Sequence, residues 1–182
     1  FFVNQIDLHS LASYDITNIQ PAADGNLWIT TYWKGVDYFN KKEQRFSHYN
    51  QQTVPGFGSN HIWSVADGGN GILYIGHARE GLSVLHIKEK RAKNFINNPL
   101  LPNSLPGNDD RCVYKDKTGI IWVGTNKGFA LFNPINEDFI SFAKNKGPLS
   151  NSIFDIRQFD GNKLWVATEF GGIVILDLSQ QL

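Results

Sequence analysis

The chain has 182 residues with 17 basic and 17 acidic side chains, so its formal net charge is zero at pH 7. A balanced charge argues against a nucleic-acid partner and against a surface that binds anionic membranes. The single cysteine cannot form a disulfide within one chain. No apolar run approaches the length of a membrane-spanning helix, so we expect no direct membrane contact.

Four copies of one short sequence motif, called the Asp-Gly phrase below, occur along the chain. Each copy has an Asp-Gly turn followed by an apolar run centred on an aromatic residue, which stands at positions 28, 74, 122 and 165. Successive copies are therefore 46, 48 and 43 residues apart. A period of this size is typical of stacked supersecondary units.

In chain order, each copy predicts four antiparallel strands. An alternating apolar run comes first, as at 62–65 or 153–156, and leads into the Asp-Gly turn. The aromatic run is apolar on both faces, which indicates a strand covered on both sides. The third strands follow a glycine and are predicted at 36–39, 82–85, 129–132 and 173–176. A more polar outer strand, as at 45–49 or 139–142, ends the unit, and four such strands are the size of a β-propeller blade.

The sequence thus predicts an all-β chain of four propeller blades, at about 7–50, 51–97, 98–143 and 144–182. Residues 1–6 are predicted to form an outer strand of a neighbouring blade or of the last blade. The fourth copy ends after its third strand. Either the first strand closes a ring with it, or the chain is a fragment of a larger propeller. We favour the fragment, because four blades is the low end for closed propellers.

The third copy carries a resemblance to a known family. Residues 116–129 read Asp-Lys-Thr-Gly-Ile-Ile-Trp-Val-Gly-Thr-Asn-Lys-Gly-Phe, and this pattern resembles the two-component regulator propeller repeat. The first and fourth copies keep the Asp, Gly and Trp but have Thr30 or Ala167 in place of the later glycine. The second copy has Tyr74 for Trp and His77 for Thr.

The resemblance implies a periplasmic sensor region of a hybrid two-component receptor of the Bacteroidetes type, where such arrays often sense oligosaccharides. It implies an oligosaccharide ligand, with further blades and signalling modules of a parent chain as partners. A homodimer is an open alternative, because an incomplete array leaves strand edges and a blade face uncovered. Kinase, nucleotide-binding and DNA-binding motifs are absent from these 182 residues. We therefore expect no enzyme activity and no cofactor in this segment, whatever the parent chain does.

The repeated phrase itself is interpreted as scaffold. One carboxylate per turn is too few for calcium, which takes six to eight oxygens, so we expect no metal site. Instead the carboxylates should satisfy local N–H groups, and the tryptophans should pack between blades. The carboxylates are Asp24, Asp67, Asp116 and Asp160, and the tryptophans are Trp28, Trp122 and Trp165.

Ligand-binding residues are predicted where the four copies differ, in the loops between second and third strands. These loops emerge on one face of a propeller, and a rigid scaffold can hold them while they vary. The predicted site residues are Tyr32, Trp33, His77, Arg79, Glu80, Asn126, Lys127, Glu169 and Phe170. The aromatic rings suit sugar rings, and the charged groups suit hydroxyls or a uronic carboxylate. The alternative is that these are ordinary exposed loop residues.

Other residues have weaker predictions. The starts of the inner strands could line a central channel, and the linkers 52–59 and 97–107 are expected to be connectors. The channel candidates are His61, Asp109, Asp110, Arg111 and Asp155. Two other functions stay open: a structural or dimerisation scaffold without a ligand site, and a sialidase-like hydrolase. The hydrolase is disfavoured because the five arginines occupy dissimilar positions in the repeat.

Overall fold

The computed structural model describes residues 3–4, 6–142, 147, 151–159 and 161–179. Its regular structure is entirely β, and within the described residues no helix is present that is long and apolar enough to cross a membrane. The strands of the first two sheets are β1 (Ile16–Pro21), β2 (Leu27–Thr31), β3 (Gly35–Asn40), β4 (Arg45–Tyr49), β5 (Ile62–Gly69), β6 (Ile72–His77), β7 (Leu82–His86) and β8 (Arg91–Phe95). The strands of the last two are β9 (Asp110–Lys115), β10 (Ile121–Thr125), β11 (Gly128–Asn133), β12 (Asp138–Ser141), β13 (Ile153–Phe159), β14 (Lys163–Thr168) and β15 (Gly172–Asp177).

In the described part of the chain the strands form four antiparallel sheets in chain order, three with four strands and a last one with three. The innermost strands β1, β5, β9 and β13 contact one another in that order, so the sheets stand side by side as propeller blades do. The predicted all-β fold of propeller blades is confirmed, and the fourth sheet ends with its third strand as expected. Within the described residues the sheets do not close into a ring, as expected of a fragment.

The Asp-Gly phrase makes the hairpin between the first and second strands. In the third sheet Asp116 accepts hydrogen bonds from the N–H groups of Thr118 (2.8 Å) and Ile120 (3.0 Å) and from the indole of Trp122 (2.8 Å). Gly119 has a φ of +92°, which only glycine adopts readily. Asp116 therefore serves the turn. Asp160, its counterpart in the fourth copy, lies outside the described residues.

The cores lie between sheets. Trp28 is 2% exposed and Trp122 is fully buried, so these aromatic positions pack as predicted. The indole N–H of Trp28 donates to Asp67 of the next sheet over 2.9 Å. Trp165 in the fourth sheet is only partly buried, and its indole nitrogen has no hydrogen-bond partner among the described residues.

A recurrent clasp joins each sheet to the one before it. Near the end of the inner strand, a polar side chain reaches the Asp-Gly turn of the preceding sheet. Three such bonds are Ala23 N–H to Asp67 (2.9 Å), Lys115 to the carbonyl of Gly68 (2.6 Å) and Lys117 N–H to Gln158 (2.8 Å). The side chain differs each time, so the position matters more than the residue type.

The outermost strands are capped by the segment that precedes each sheet. One N–H group at the same position of β4, β8 and β12 donates to a carbonyl of that segment. The bonds are Phe46 to His9 (3.0 Å), Ala92 to Pro55 (2.9 Å) and Phe139 to Asn103 (2.8 Å). Capping protects an exposed strand edge from pairing with other chains. The linkers thus act as connectors that also cover edges.

The four sheets fall inside the predicted blades 7–50, 51–97, 98–143 and 144–182. These boundaries stay a prediction. The outer strand predicted at 1–6 falls partly on residues outside the described part of the chain and also stays a prediction.

Candidate functional site

The turns between second and third strands lie at one end of every sheet. In each, a backbone N–H of the turn donates to the carbonyl of the residue just before the inner strand. The four bonds are Tyr32 to Asp15 (2.9 Å), Ala78 to His61 (2.9 Å), Asn126 to Asp109 (3.0 Å) and Glu169 to Ser152 (2.8 Å). We call this end of the sheets the turn face. The Asp-Gly hairpins lie at the opposite end.

Four aromatic side chains from two sheets meet on the turn face: Tyr32, Trp33, His61 and Trp63. The ring of Tyr32 lies 4.9 Å from Trp33, 5.2 Å from His61 and 5.0 Å from Trp63. Trp33 also lies 4.9 Å from His61. Trp33 is 54% exposed and Trp63 is 36% exposed. These four residues, the turn-face cluster, therefore present aromatic rings to solvent from a packed base.

Local hydrogen bonds hold the turn between β2 and β3, which carries Tyr32 and Trp33, in place. The hydroxyl of the buried Thr31 donates to the carbonyl of Gly35 (3.0 Å) and accepts from the N–H of Lys34 (3.0 Å). The N–H of Gly35 donates to the carbonyl of Asn60 in the following linker (3.0 Å). A turn tied at both ends holds its aromatic rings with little loss of freedom on binding.

His77, one of the predicted site residues, does not reach the turn face. It is the last residue of β6 and is fully buried, with Nε2 2.7 Å from the hydroxyl of Ser83. Burial lowers its pKa to about 4, so the ring is neutral near pH 7. The other three sheets have a threonine here, and each threonine hydroxyl donates to the glycine that opens the third strand. His77 therefore has a structural position inside the sheet.

The other predicted residues lie on the turn face but apart from the turn-face cluster. Arg79, Glu80, Asn126, Lys127 and Phe170 are exposed, and Phe170 is 98% exposed. Glu169 is partly buried. In the described part of the chain, no ring contact or side-chain hydrogen bond joins these six residues to the cluster. Of the nine predicted residues, the structure brings together Tyr32 and Trp33.

The residues predicted to line a channel differ in their contacts and burial. Asp109 accepts from the indole of Trp63 (2.9 Å) and lies 3.4 Å from Nε of Arg111. Asp155 pairs with Arg157 over 3.0 Å. Asp110 is fully buried, and burial together with the charge of Asp109 raises its pKa well above the ordinary value. Asp110 therefore belongs to the core rather than to a channel wall.

Sequence reasoning missed Trp63 and Phe154 and gave His61 only a channel role. Trp63 contacts Tyr32, and Phe154 lies 5.0 Å from the guanidinium of Arg111. The available signal was an aromatic or long side chain directly after the first apolar residue of an inner strand. Among the described residues, no cluster of three or more His, Cys, Asp and Glu side chains is arranged to hold a metal ion.

The profile of the family described as two component regulator propeller matches residues 10–33 and 104–127. The extracellular domain of the hybrid two-component system BT3049 from B. thetaiotaomicron is 43% identical over 97% of this chain, with a TM-score of 0.84. That of BT4673 from the same organism is 21% identical over 94%, with a TM-score of 0.72. The chain spans only 22% and 24% of those two structures.

A computationally designed protein, Ika4, shares the fold alone. It is 14% identical over 97% of this chain and 99% of its own, with a TM-score of 0.61. No match was found among curated proteins.

Proposed function

The chain belongs to the two-component regulator propeller family, and from this premise we propose that it is a ligand-sensing segment of a hybrid two-component receptor whose ligand is an oligosaccharide. This segment is extracytoplasmic, since it is 43% identical to an extracellular domain over nearly its whole length. A periplasmic position, a non-catalytic role, and the further blades and signalling modules of a parent chain are part of the proposal.

One observation carries the ligand class: the turn-face cluster. Sugar rings have apolar C–H faces bordered by hydroxyls, and they suit exposed aromatic rings beside polar groups. Trp33 and Trp63 supply exposed ring faces, while Tyr32 and His61 add a hydroxyl and ring nitrogens. The position also fits, because recognition residues concentrate on loops held by a rigid scaffold.

Calorimetry on the complete extracytoplasmic region that contains this chain tests the proposal. A panel of neutral and acidic oligosaccharides is titrated into the wild type and into Tyr32→Ala and Trp33→Ala. We expect at least one oligosaccharide to bind, and each substitution to weaken it about tenfold or more, or about 1.4 kcal/mol. Ile135→Ala is the control, since Ile135 is 90% exposed in a turn at the opposite end of the third sheet. Unchanged affinity in both aromatic variants contradicts the proposed site.

A second candidate is an assembly role, and the outer face of the fourth sheet favours it. Phe159, Ile173 and Ile175 are 54%, 61% and 50% exposed there, next to the indole of Trp165, whose nitrogen has no hydrogen-bond partner among the described residues. In the first sheet the corresponding Trp28 is covered by the next sheet and donates to its carboxylate. By the same geometry, the occupant is another sheet of this repeat: the next sheet of a parent chain, or, for the isolated chain, a sheet of a second copy.

Sedimentation of the chain at rising concentration tests the assembly role. A dimer that Ile175→Lys dissociates is the expected result, because a charge would be buried without a partner. A strict monomer at high concentration contradicts it. Glycan binding by such a monomer leaves the sensor proposal standing alone.

A further inference from the structure

The innermost strand of every sheet has a β-bulge near the turn face. The register shifts between Ile16 and Asn18, between Ile62 and Ser64, and between Ile153 and Asp155, while in the third sheet it skips the residue between Asp110 and Cys112. The extra residues are Thr17, Trp63, Arg111 and Phe154. A bulge re-aims its side chain out of the normal alternation, and bulges are common beside binding sites.

Three of these four residues are presented on the turn face. Trp63 is 36% exposed, Phe154 is 48% exposed, and the side chain of Arg111 is 34% exposed. Thr17 instead donates its hydroxyl to the carbonyl of Ile62 over 2.7 Å. We call Trp63, Arg111 and Phe154 the bulge row.

The bulge row is continuous with the turn-face cluster. Trp63 packs on Tyr32 at one end and donates to Asp109 (2.9 Å), which also contacts Nε of Arg111 (3.4 Å). The guanidinium of Arg111 then lies 5.0 Å from the ring centre of Phe154. Aromatic rings and one cation thus follow each other across four sheets without a break.

We propose that the bulge row binds further sugar units of the same oligosaccharide that occupies the turn-face cluster, so that the ligand is an extended chain and not a single sugar. This rests on the proposed function. Phe154 and Trp63 supply ring faces for successive sugars. The terminal guanidinium nitrogens of Arg111 donate no hydrogen bond to the described residues, so they are available to sugar oxygens. Trp63 belongs to both groups and stands where they join.

Titration with oligosaccharides of increasing length distinguishes an extended binding site from a site for a single sugar. Fractions from monosaccharide to hexasaccharide, prepared from xylan, galactan, arabinan and chondroitin, are titrated into the complete extracytoplasmic region. We expect affinity to rise with chain length until the row is filled. We expect Phe154→Ala to remove about tenfold in affinity from the longest ligand and to leave the shortest binding fragment unchanged. Trp33→Ala should weaken every fragment that binds.

Ile135→Ala is the control. Ile135 is 90% exposed in the turn between β11 and β12, at the end of the third sheet opposite the turn face. Its substitution should change neither affinity nor length dependence, and thermal melts check that both variants fold. Affinity that is independent of chain length, or an equal loss for all lengths in Phe154→Ala, overturns the extended site. Absence of binding by every fraction overturns the proposed function itself.

Discussion

The buried carboxyl of Asp110 gives the sharpest test of the packing described above. Asp110 pairs with Thr125 at the position where the other inner strands have Ile16, Ile62 and Ile153. It is fully buried, and neither carboxyl oxygen has a hydrogen-bond partner among the described residues. A polar group in that situation forfeits its hydration without compensation.

Replacing Asp110 by valine should therefore stabilise the protein. Removing one unpartnered buried polar group is worth about 1–3 kcal/mol, and valine suits a strand in a site that holds isoleucine elsewhere. For a chain of 182 residues that gain corresponds to a rise of roughly 2–12 °C in Tm. The opposite control is Ile153→Val, which shortens a fully buried side chain and should cost about 0.5–1.5 kcal/mol.

The pH dependence of unfolding tests whether the buried carboxyl of Asp110 is what lowers the stability of the wild type. The pKa of Asp110 is higher in the folded state than its ordinary 3.8. Between those two values the folded state holds a proton that the unfolded state has lost. The free energy of unfolding then falls as pH rises through this window, by about 1.4 kcal/mol per pH unit for one group.

Urea unfolding followed by tryptophan fluorescence, repeated from pH 4 upward, measures this slope. Asp110→Asn, which keeps the shape and removes the ionisation, should flatten the curve relative to wild type. Asp110→Val should flatten it and also raise it. If the valine variant is less stable than wild type at every pH, Asp110 has a stabilising partner and the reasoning is refuted.

Three further predictions concern contacts between elements. Both ring nitrogens of His48 lie at hydrogen-bond distance from acceptors, Asp37 (2.7 Å) and a backbone carbonyl (2.8 Å), and the bond to Asp37 raises the pKa of His48. The attachment of residues 8–12 should therefore be complete below pH 6.5 and be lost as pH rises through the raised pKa of His48. NMR titration and amide exchange measure this loss. Asp67→Ala should cost about 1–3 kcal/mol in urea unfolding, because the buried indole of Trp28 loses its acceptor, whereas Asp67→Asn should cost less. Gly124→Ala should cost about 1–3 kcal/mol by overpacking, since a Cβ there would lie 2.6 Å from an isoleucine methyl of the next sheet; a neutral result would show that the inner strands can separate.

The fold could be predicted because each local signal in the repeat agrees with the others. The Asp-Gly turn, the doubly apolar second strand and the glycine before the third strand all specify the same four-stranded unit. The predicted outer strand 45–49 coincides with β4, and the predicted third strand 36–39 lies inside β3. Contacts between different sheets could not be predicted in the same way. The clasp position holds Asp67, Lys115 or Gln158 in different sheets, and no residue type marks it.

The site could be predicted only in part, and the bulges explain why. Strict alternation assigns every second residue of an inner strand to the same face, and one extra residue shifts that assignment. Trp63 and Phe154 therefore have directions that no period-two pattern gives. His77 shows the reverse case. It was predicted in a loop, but the strand continues through it and its ring fills a buried space.

The arrangement of the turn face also bears on how binding could become a signal. A short ligand resting on Trp33 and Tyr32 contacts a single sheet. A longer one that also reaches Trp63, Arg111 and Phe154 contacts four sheets, each of which is held together by its own backbone hydrogen bonds. Its affinity then depends on the angles between sheets, because all subsites come into reach only at certain angles. A ligand shifts a conformational equilibrium only by its difference in affinity for the two states. Chain length of the oligosaccharide should therefore control the strength of the response as well as the affinity.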